Sequence, residues 1–380
     1  MTRREDSNRT GTHLPSAPDL RPIRAEDADA LSRLARRAFP PTQAMFVGFS
    51  TEGYVIDGAD GLAAAVVLRV LDLPSGTRAG FVAWMMTDPD HQGRGLAPAL
   101  VVRGIDRLEE LGCTQILTEI EGHNTASMAV FRKLGFRRIG LRDEIRAFGL
   151  AGAARLRVRT SHALDPGHFL WLRDDGDEAT SETRERLVAW GLNCGFALLA
   201  LALGGGLLLP GPAGLPSVGD ALALLLAVAA VLGLREAAMR AAARAWGLPV
   251  VFRAWQGGVA ISAAIALAFG SLFPLPGSAY PREPGWRYPD ALPALGAAAL
   301  AGAGAVALAV ALALWVVAAL PGSVAAAFAG SVLFVGKPLL LFDTVMAFPP
   351  FQAFAARRIY DLNRGAWLAA ATVGLVLFLI

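Results

Sequence analysis

The pattern of apolar and polar positions changes character once along this chain, near residue 187. Before that point short apolar runs alternate with charged stretches, and after it long apolar runs follow one another with brief polar gaps. In the first part the pattern predicts a short strand at 20–24. A helix opened by Ala25-Glu26-Asp27-Ala28-Asp29 comes next, with Leu31, Leu34, Ala35 and Phe39 on one face. Apolar runs at 54–56 and 62–71, split by Asp57-Gly58-Ala59-Asp60-Gly61, predict a hairpin. A strand at 80–86 leads into the turn Gln92-Gly93-Arg94-Gly95-Leu96-Ala97. The helix expected at 98–111 carries Leu96, Ala99, Leu100, Val102, Ile105 and Leu108 at helical spacing and ends at Gly112. A strand at 115–120 and a helix at 124–134, closed by Gly135, follow. Leu156-Arg157-Val158-Arg159 and His168-Phe169-Leu170-Trp171-Leu172 read as strands that complete the sheet. This order predicts an α+β domain, a mixed sheet flanked by helices, with parallel pairing across the helix at 98–111.

The second part predicts an all-α polytopic membrane domain. Its apolar runs, 187–209, 221–242, 254–273, 295–320, 324–346 and a shorter one at 366–380, give about six spans. Ala, Gly and Leu dominate them, which permits close helix contact. The expected domains are therefore a polar disordered tail at 1–18 without the apolar core of a signal peptide, a folded α+β domain at 19–173, a solvated linker at 174–186 and the membrane domain at 187–380.

Charge sharpens the division. Residues 1–186 hold 25 of the 35 basic and 26 of the 32 acidic residues, so the first part is close to neutral and has no basic stripe. No nucleic-acid partner is expected. Arg235, Glu236, Arg240 and Arg244 fall at a cytoplasmic helix end if the first part is cytoplasmic. Arg357, Arg358 and Arg364 fit that topology only if the backbone around Pro349-Pro350 is irregular. Glu236 is expected to pair with Arg235 or Arg240 near the interface, and Asp343 is a second ionisable group at membrane depth. Cys113 and Cys194 lie in different parts and are expected to be buried and unpaired.

The glycine turn carries the candidate chemistry. A turn that opens a helix aims free N–H groups and the positive end of the helix dipole at one point, which suits a pyrophosphate. With its lead-in Thr87-Asp88-Pro89-Asp90-His91 and the downstream segment from Asn124 to Phe136, which includes Phe131-Arg132-Lys133-Leu134-Gly135-Phe136, the turn resembles the GNAT acyl-CoA N-acyltransferases over roughly residues 19–174. The resemblance implies acetyl-CoA as cosubstrate and an amine as acceptor. It implies that the backbone of Met85, Met86 and Thr87 pairs with the pantetheine arm. It further implies that Gln92, Gly93, Arg94, Gly95, Leu96, Ala97 and Pro98 surround the pyrophosphate and that Asn124 contacts the cosubstrate. Glu119, five residues before Asn124, matches the base of some protein N-terminal acetyltransferases and is the catalytic candidate; Glu121, on the same strand face, is the reserve. Phe131 stands where the family often has an acidic tyrosine, and a phenyl ring donates no proton.

In the second part, Leu234 to Arg240, Trp246-Gly247-Leu248-Pro249, Phe252-Arg253-Ala254-Trp255, Pro276 to Tyr280 and Phe342 to Ala353 resemble the membrane core of the site-2 protease family. That family's His-Glu-x-x-His becomes Arg235-Glu236-Ala237-Ala238-Met239, and its Leu-Asp-Gly-like segment becomes Phe351-Gln352-Ala353. All five histidines precede the second part, and a guanidinium has no lone pair for zinc. No metal is therefore expected, and the second part would be a pseudoprotease. The sequence thus predicts a multi-pass protein of the cell membrane with a cytoplasmic N-acetyltransferase domain. The alternative is a non-catalytic acyl-CoA sensor whose membrane domain binds a membrane protein.

Overall fold

The computed structural model describes residues 19–174, 176, 181–208 and 214–380. The expected tail at 1–18, and positions 175 and 177–180 of the expected linker, lie outside them. The chain forms two compact units, one comprising the residues up to Val70 with Val82–Cys113, the other Leu71–Phe81 with Thr114–Ile380.

The first unit contains β1 (Leu20–Pro22), α1 (Ala28–Ala38), a single turn α2 (Pro41–Ala44), β2 (Gly53–Gly58) and most of β3 (Gly61–Asp72) and β4 (Arg78–Thr87), then α3 (Leu96–Glu110). β1 runs antiparallel to β2, with Leu20 opposite Ile56, and β2 antiparallel to β3, with Tyr54 opposite Val66. The apolar face of α1 turns Leu31, Leu34 and Ala35 onto Ile23, Val55, Leu62, Ala65, Val67 and Met86. Burial of each large aliphatic side chain of this kind contributes about 1.5–3 kcal/mol. Helix α3 lies close on β3: a Cβ at Gly104 would stand 3.2 Å from Leu68 Cδ2.

The second unit begins with β5 (Gln115–Glu121), α4 (Thr125–Lys133), β6 (Phe136–Arg138), α5 (Leu141–Arg159) and β7 (His168–Arg173). β7 pairs antiparallel with β5 on one side and β6 on the other, which sets Glu121 opposite His168 and Glu119 opposite Leu170. The strand expected at 156–159 is instead the last turn of α5. Two alternating pairs are too short to separate a period of 2 from one of 3.6, and the burial decides it: Phe148, Gly152, Ala153 and Leu156 line the inner face while Val158 is exposed. Gly149, at φ 69°, breaks this helix into two pieces.

The rest of the second unit is helical: α6 (Glu182–Leu203), α7 (Val218–Ala245), α8 (Val259–Phe269), α9 (Tyr288–Ala319), α10 (Val324–Thr344), α11 (Ala355–Leu362) and α12 (Arg364–Leu379). Its only strands among the described residues, β8 (Val250–Arg253) and β9 (Ser278–Pro281), form one antiparallel ribbon. Four helices, α6, α7, α9 and α10, are long and apolar enough to cross a membrane. The span expected at 254–273 holds only the 11 residues of α8, about 16 Å of helix against a core of roughly 30 Å. Small residues bring the long helices close: a Cβ at Gly302 of α9 would lie 2.6 Å from Met239 Cγ of α7. Helix α6 starts inside the stretch expected to be linker. Its Glu185 is buried, accepting from Arg138 Nη2 of β6 at 2.7 Å and from the Ala254 N–H at 2.9 Å.

Candidate active site

The expected site residues divide between the two units. Met85–Thr87 and Gln92–Pro98 lie in the first, Glu119 and Asn124 in the second.

In the first unit β4 ends at Thr87, and Asp88 caps a 3-10 turn over Pro89–His91 by accepting from the Asp90 N–H at 3.0 Å. Arg37 of α1 grips both acids, with Nε 2.5 Å from Asp88 Oδ2 and Nη2 2.7 Å from Asp90 Oδ2. Burial pushes the Asp88 carboxyl up, but Arg37 and the Asp90 N–H outweigh it and hold it below the usual carboxylate range. Gly93 and Gly95 then adopt φ 76° and 74°, and a Cβ on either would meet nothing within 4 Å. Here glycine serves the left-handed backbone, not close packing. Between the Gln92 N–H, bonded to Pro89 O at 3.4 Å, and the Ala99 N–H, bonded to Gly95 O at 3.4 Å, the N–H groups of Gly93, Arg94, Gly95, Leu96 and Ala97 have no backbone acceptor among the described residues. Pro98 lacks an N–H, and no acidic residue stands in the first turn of α3. The Arg94 guanidinium is exposed and donates to Asp90 O at 3.0 Å. An open loop of free donors at a helix N-terminus fits a pyrophosphate. Met86 is 1 % exposed within the core, so only its backbone is available to a ligand.

In the second unit Glu119 lies under cover. Its Oε1 is 2.6 Å from His162 Nδ1, with the two side chains only 8 % and 2 % exposed. Burial holds the Glu119 carboxyl well above its ordinary value. Burial, and then the Arg157 cation, push the His162 imidazole down to about 3. With the imidazole uncharged at neutral pH, the contact is a hydrogen bond and not an ion pair, despite its distance. Arg157 and Glu144, both on α5 and both buried, form a bidentate pair at 2.8 and 2.5 Å, and Arg157 Nη1 donates to Gln256 O at 2.5 Å. His168 completes the group: burial lowers its pKa, but Glu119, Glu121 and Asp165 together raise it above its ordinary value.

The helical half closes over this group. The Gly258 N–H donates to His162 O at 3.0 Å, and Gln256 Oε1 accepts from the Leu141 N–H at 2.6 Å. Gly167, at φ 79°, abuts Ala353 with no room for a side chain, and a Cβ at Gly122 would fall 2.6 Å from Tyr280 Cε1.

Asn124 is the N-cap of α4, its Oδ1 accepting from the Ser127 N–H at 3.1 Å; its Nδ2 has no protein partner among the described residues. Phe131 is 2 % exposed and packs edge-on against Phe136 at 5.0 Å between ring centres. Sequence reasoning passed over His162, His168 and Arg157. His162 follows Glu119 by 43 residues, and only the turn after α5 returns it to β5; the two histidines flanking Asp165-Pro166-Gly167 were the available signal.

In the helical half Arg235 pairs with Asp343, whereas Glu236 is bound by Arg240 at 2.7 Å and Arg186 at 2.9 Å. Among the described residues no three or more His, Cys, Asp or Glu side chains cluster as a metal site would require.

The N-terminal strands and helices form a mixed sheet flanked by helices, of the GNAT fold, followed by a helical half with four helices long and apolar enough to cross a membrane. Residues 20–136 match the family model described as acetyltransferase (GNAT) family. The chain is 43% identical over 61 residues to a mycothiol acetyltransferase of Saccharomonospora viridis, covering 16% of this chain and 20% of that protein. It is 30% identical over 137 residues to a mycothiol acetyltransferase of Clavibacter sepedonicus, covering 33% of this chain and 44% of that one. The chain thus spans less than half the length of these relatives. The structure of the ribosomal-protein-S18-alanine N-acetyltransferase from Escherichia coli aligns with a TM-score of 0.30 and 21% identity, over 43% of this chain and 97% of that one.

Proposed function

We propose that the chain is a membrane-anchored N-acetyltransferase that moves an acetyl group from acetyl-CoA to an amine, with residues 19–173 as the catalytic domain on the cytoplasmic side, where acetyl-CoA is available. The observation that carries this reading is the buried Glu119–His162 hydrogen bond on the strand that follows the glycine-loop helix.

An amine reacts with a thioester only after losing its proton, so the site needs a base whose pKa approaches neutrality. Glu119 and His162 take up a proton as one unit, and the pKa of that uptake belongs to the pair. In the deprotonated pair His162 Nδ1–H donates to the Glu119 carboxylate; after uptake the carboxyl donates back to Nδ1. Burial disfavours the anionic form and so lifts the pair toward the range a base needs. The free N–H groups from Gly93 to Ala97, with Arg94 beside them, hold the pyrophosphate. The backbone of Met85, Met86 and Thr87 aligns the pantetheine arm, and Asn124 Nδ2 offers one further donor. Phe131, sealed against Phe136, supplies no proton, so the departing thiolate draws one from water or from the pair.

The helical half serves as anchor and cover. Arg235 stands where the site-2 protease resemblance would place a zinc ligand, and its guanidinium is committed to Asp343, which supports a role other than proteolysis. The buried Phe131 favours a second reading, an acyl-CoA sensor that binds but does not turn over. Coenzyme A release by the full chain in detergent, with a panel of amines, decides between them: release that falls sharply in Glu119→Gln supports the enzyme, and calorimetric binding of acetyl-CoA without release supports the sensor.

A further inference from the structure

We propose that Arg358 of helix α11 is a positioning residue for the Glu119-bearing strand: it fixes the tautomer of His123 at the end of β5 and, through it, the charge of Glu121. The proposal rests on the acetyltransferase reading and adds that the helical half belongs to the catalytic apparatus.

Arg358 is fully buried. Its Nε donates to His123 Nε2 at 2.8 Å, its Nη1 donates to Ala279 O at 2.9 Å, and its guanidinium lies 5.2 Å from the centre of the Tyr280 ring. Nη2 has no hydrogen-bond partner, and no carboxylate forms an ion pair with this cation among the described residues. A buried cation in that position destabilises the fold relative to an apolar side chain of similar volume, so packing does not account for it.

The guanidinium has donors only, so His123 Nε2 must accept, and the ring carries its proton on Nδ1. Burial and the Arg358 charge keep the imidazole below its ordinary pKa and hence neutral. Nδ1–H then faces Glu121 Oε1 at 3.8 Å. The other groups around His123 are Asp361 of α11, Tyr280 of β9 and Tyr288 of α9, the last edge-on at 5.2 Å between ring centres. Burial pushes the Glu121 carboxyl up, and His123, His168 and Arg357 together bring it below the ordinary value. Glu121 and Glu119 share one face of β5, about 7 Å apart by strand geometry. Directly across from Glu121 stands His168, whose pKa burial lowers and Glu119, Glu121 and Asp165 together bring above its ordinary value. Arg358 thus holds one end of a buried chain, His123, Glu121, His168 and Glu119, whose other end is His162.

The test uses the full chain in detergent, wild type against Arg358→Gln and Arg358→Lys, with two readouts. The first is the pH profile of coenzyme A release. Arg358→Gln is expected to move the acid limb about one unit toward higher pH and to lower the rate on that limb about tenfold, with the KM for acetyl-CoA unchanged; Arg358→Lys, which keeps the charge, shifts it less. The second is histidine-selective nitrogen NMR, tractable with five histidines. His123 is expected as the Nδ1–H tautomer, silent through neutral pH in the wild type and titrating in Arg358→Gln. A limb that stays in place while Arg358→Gln or Arg358→Lys folds normally, or an Nε2–H tautomer in the wild type, overturns the proposal. A wild type that releases no coenzyme A with any amine, while His123 behaves as stated, overturns the acetyltransferase reading and the catalytic role of Arg358 with it.

Discussion

Arg235 on α7 and Asp343 on α10 meet in the interior of the helical half through two hydrogen bonds of 2.5 and 3.0 Å, with the Arg235 Nη1 donating also to Gly277 O and Asp343 Oδ1 accepting from the Ala355 N–H. Each charge is 2 % exposed or less, so neither has water to fall back on. Removing one partner, as in Asp343→Leu or Arg235→Met, is expected to cost about 3–5 kcal/mol, and the double variant Arg235→Met/Asp343→Leu much less than the sum. Denaturation in a single detergent, run as a double-mutant cycle, measures this.

Glu119→Gln separates activity from stability. Coenzyme A release is expected to fall by about 10²–10⁴-fold, because the pair loses its proton acceptor. Stability moves the other way. With its folded pKa raised above 4.5, Glu119 contributes fully below pH 4.5, and that contribution is lost as pH rises through the folded value. The variant is therefore expected to melt higher than wild type above neutrality and to lose that advantage in acid; thermal melts across pH show the crossing.

His162 has the opposite linkage. Its pKa is depressed from 6.5 to about 3, so the stability tied to its neutral form is present above 6.5 and is lost as pH falls toward 3. Wild type is expected to weaken over that window more steeply than His162→Gln, and the slope of stability against pH is the measurement.

At Gly93 and Gly95 a Cβ meets no atom, so the cost of Ala is backbone strain, about 1–2 kcal/mol at each. Gly95→Ala is expected to raise the KM for acetyl-CoA while leaving kcat within about twofold, and Gly95→Asn, which tolerates φ near 74°, to be milder. Steady-state kinetics in acetyl-CoA distinguish the two.

The strands and helices that carry the glycine loop were legible because each is long enough to show its own period: β3, β4, α3 and β5 lie within two residues of the ranges the apolar pattern predicts. The last turn of α5 was not, since Leu156-Arg157-Val158-Arg159 offers two alternations and no more. Among the site residues the loop could be read locally, because its chemistry resides in consecutive backbone groups. The partner of Glu119 could not. His162 and Arg358 reach β5 only through tertiary packing, and no spacing in the sequence encodes that approach. The Arg235–Asp343 pair was hidden for the same reason, and the adjacent acid, Glu236, was the more obvious partner on paper.

Gly122 and Gly167 meet Tyr280 and Ala353 of the helical half, and Gly257 of that half meets Asp165 O, each without room for a single added carbon; Gly258 is tight against Pro166, whose Cβ would stand 3.1 Å from an added carbon. A seam of bare backbone has no side chains that can rotate to fill an opening, so it is either shut or flooded. On the proposed function, pressure on α7–α11 would reach Glu119 as wetting: a layer of water in the seam would remove the burial that raises its carboxyl above its ordinary value. Under the membrane anchoring proposed above, the lipid around the chain would thereby become a variable of its acid–base chemistry.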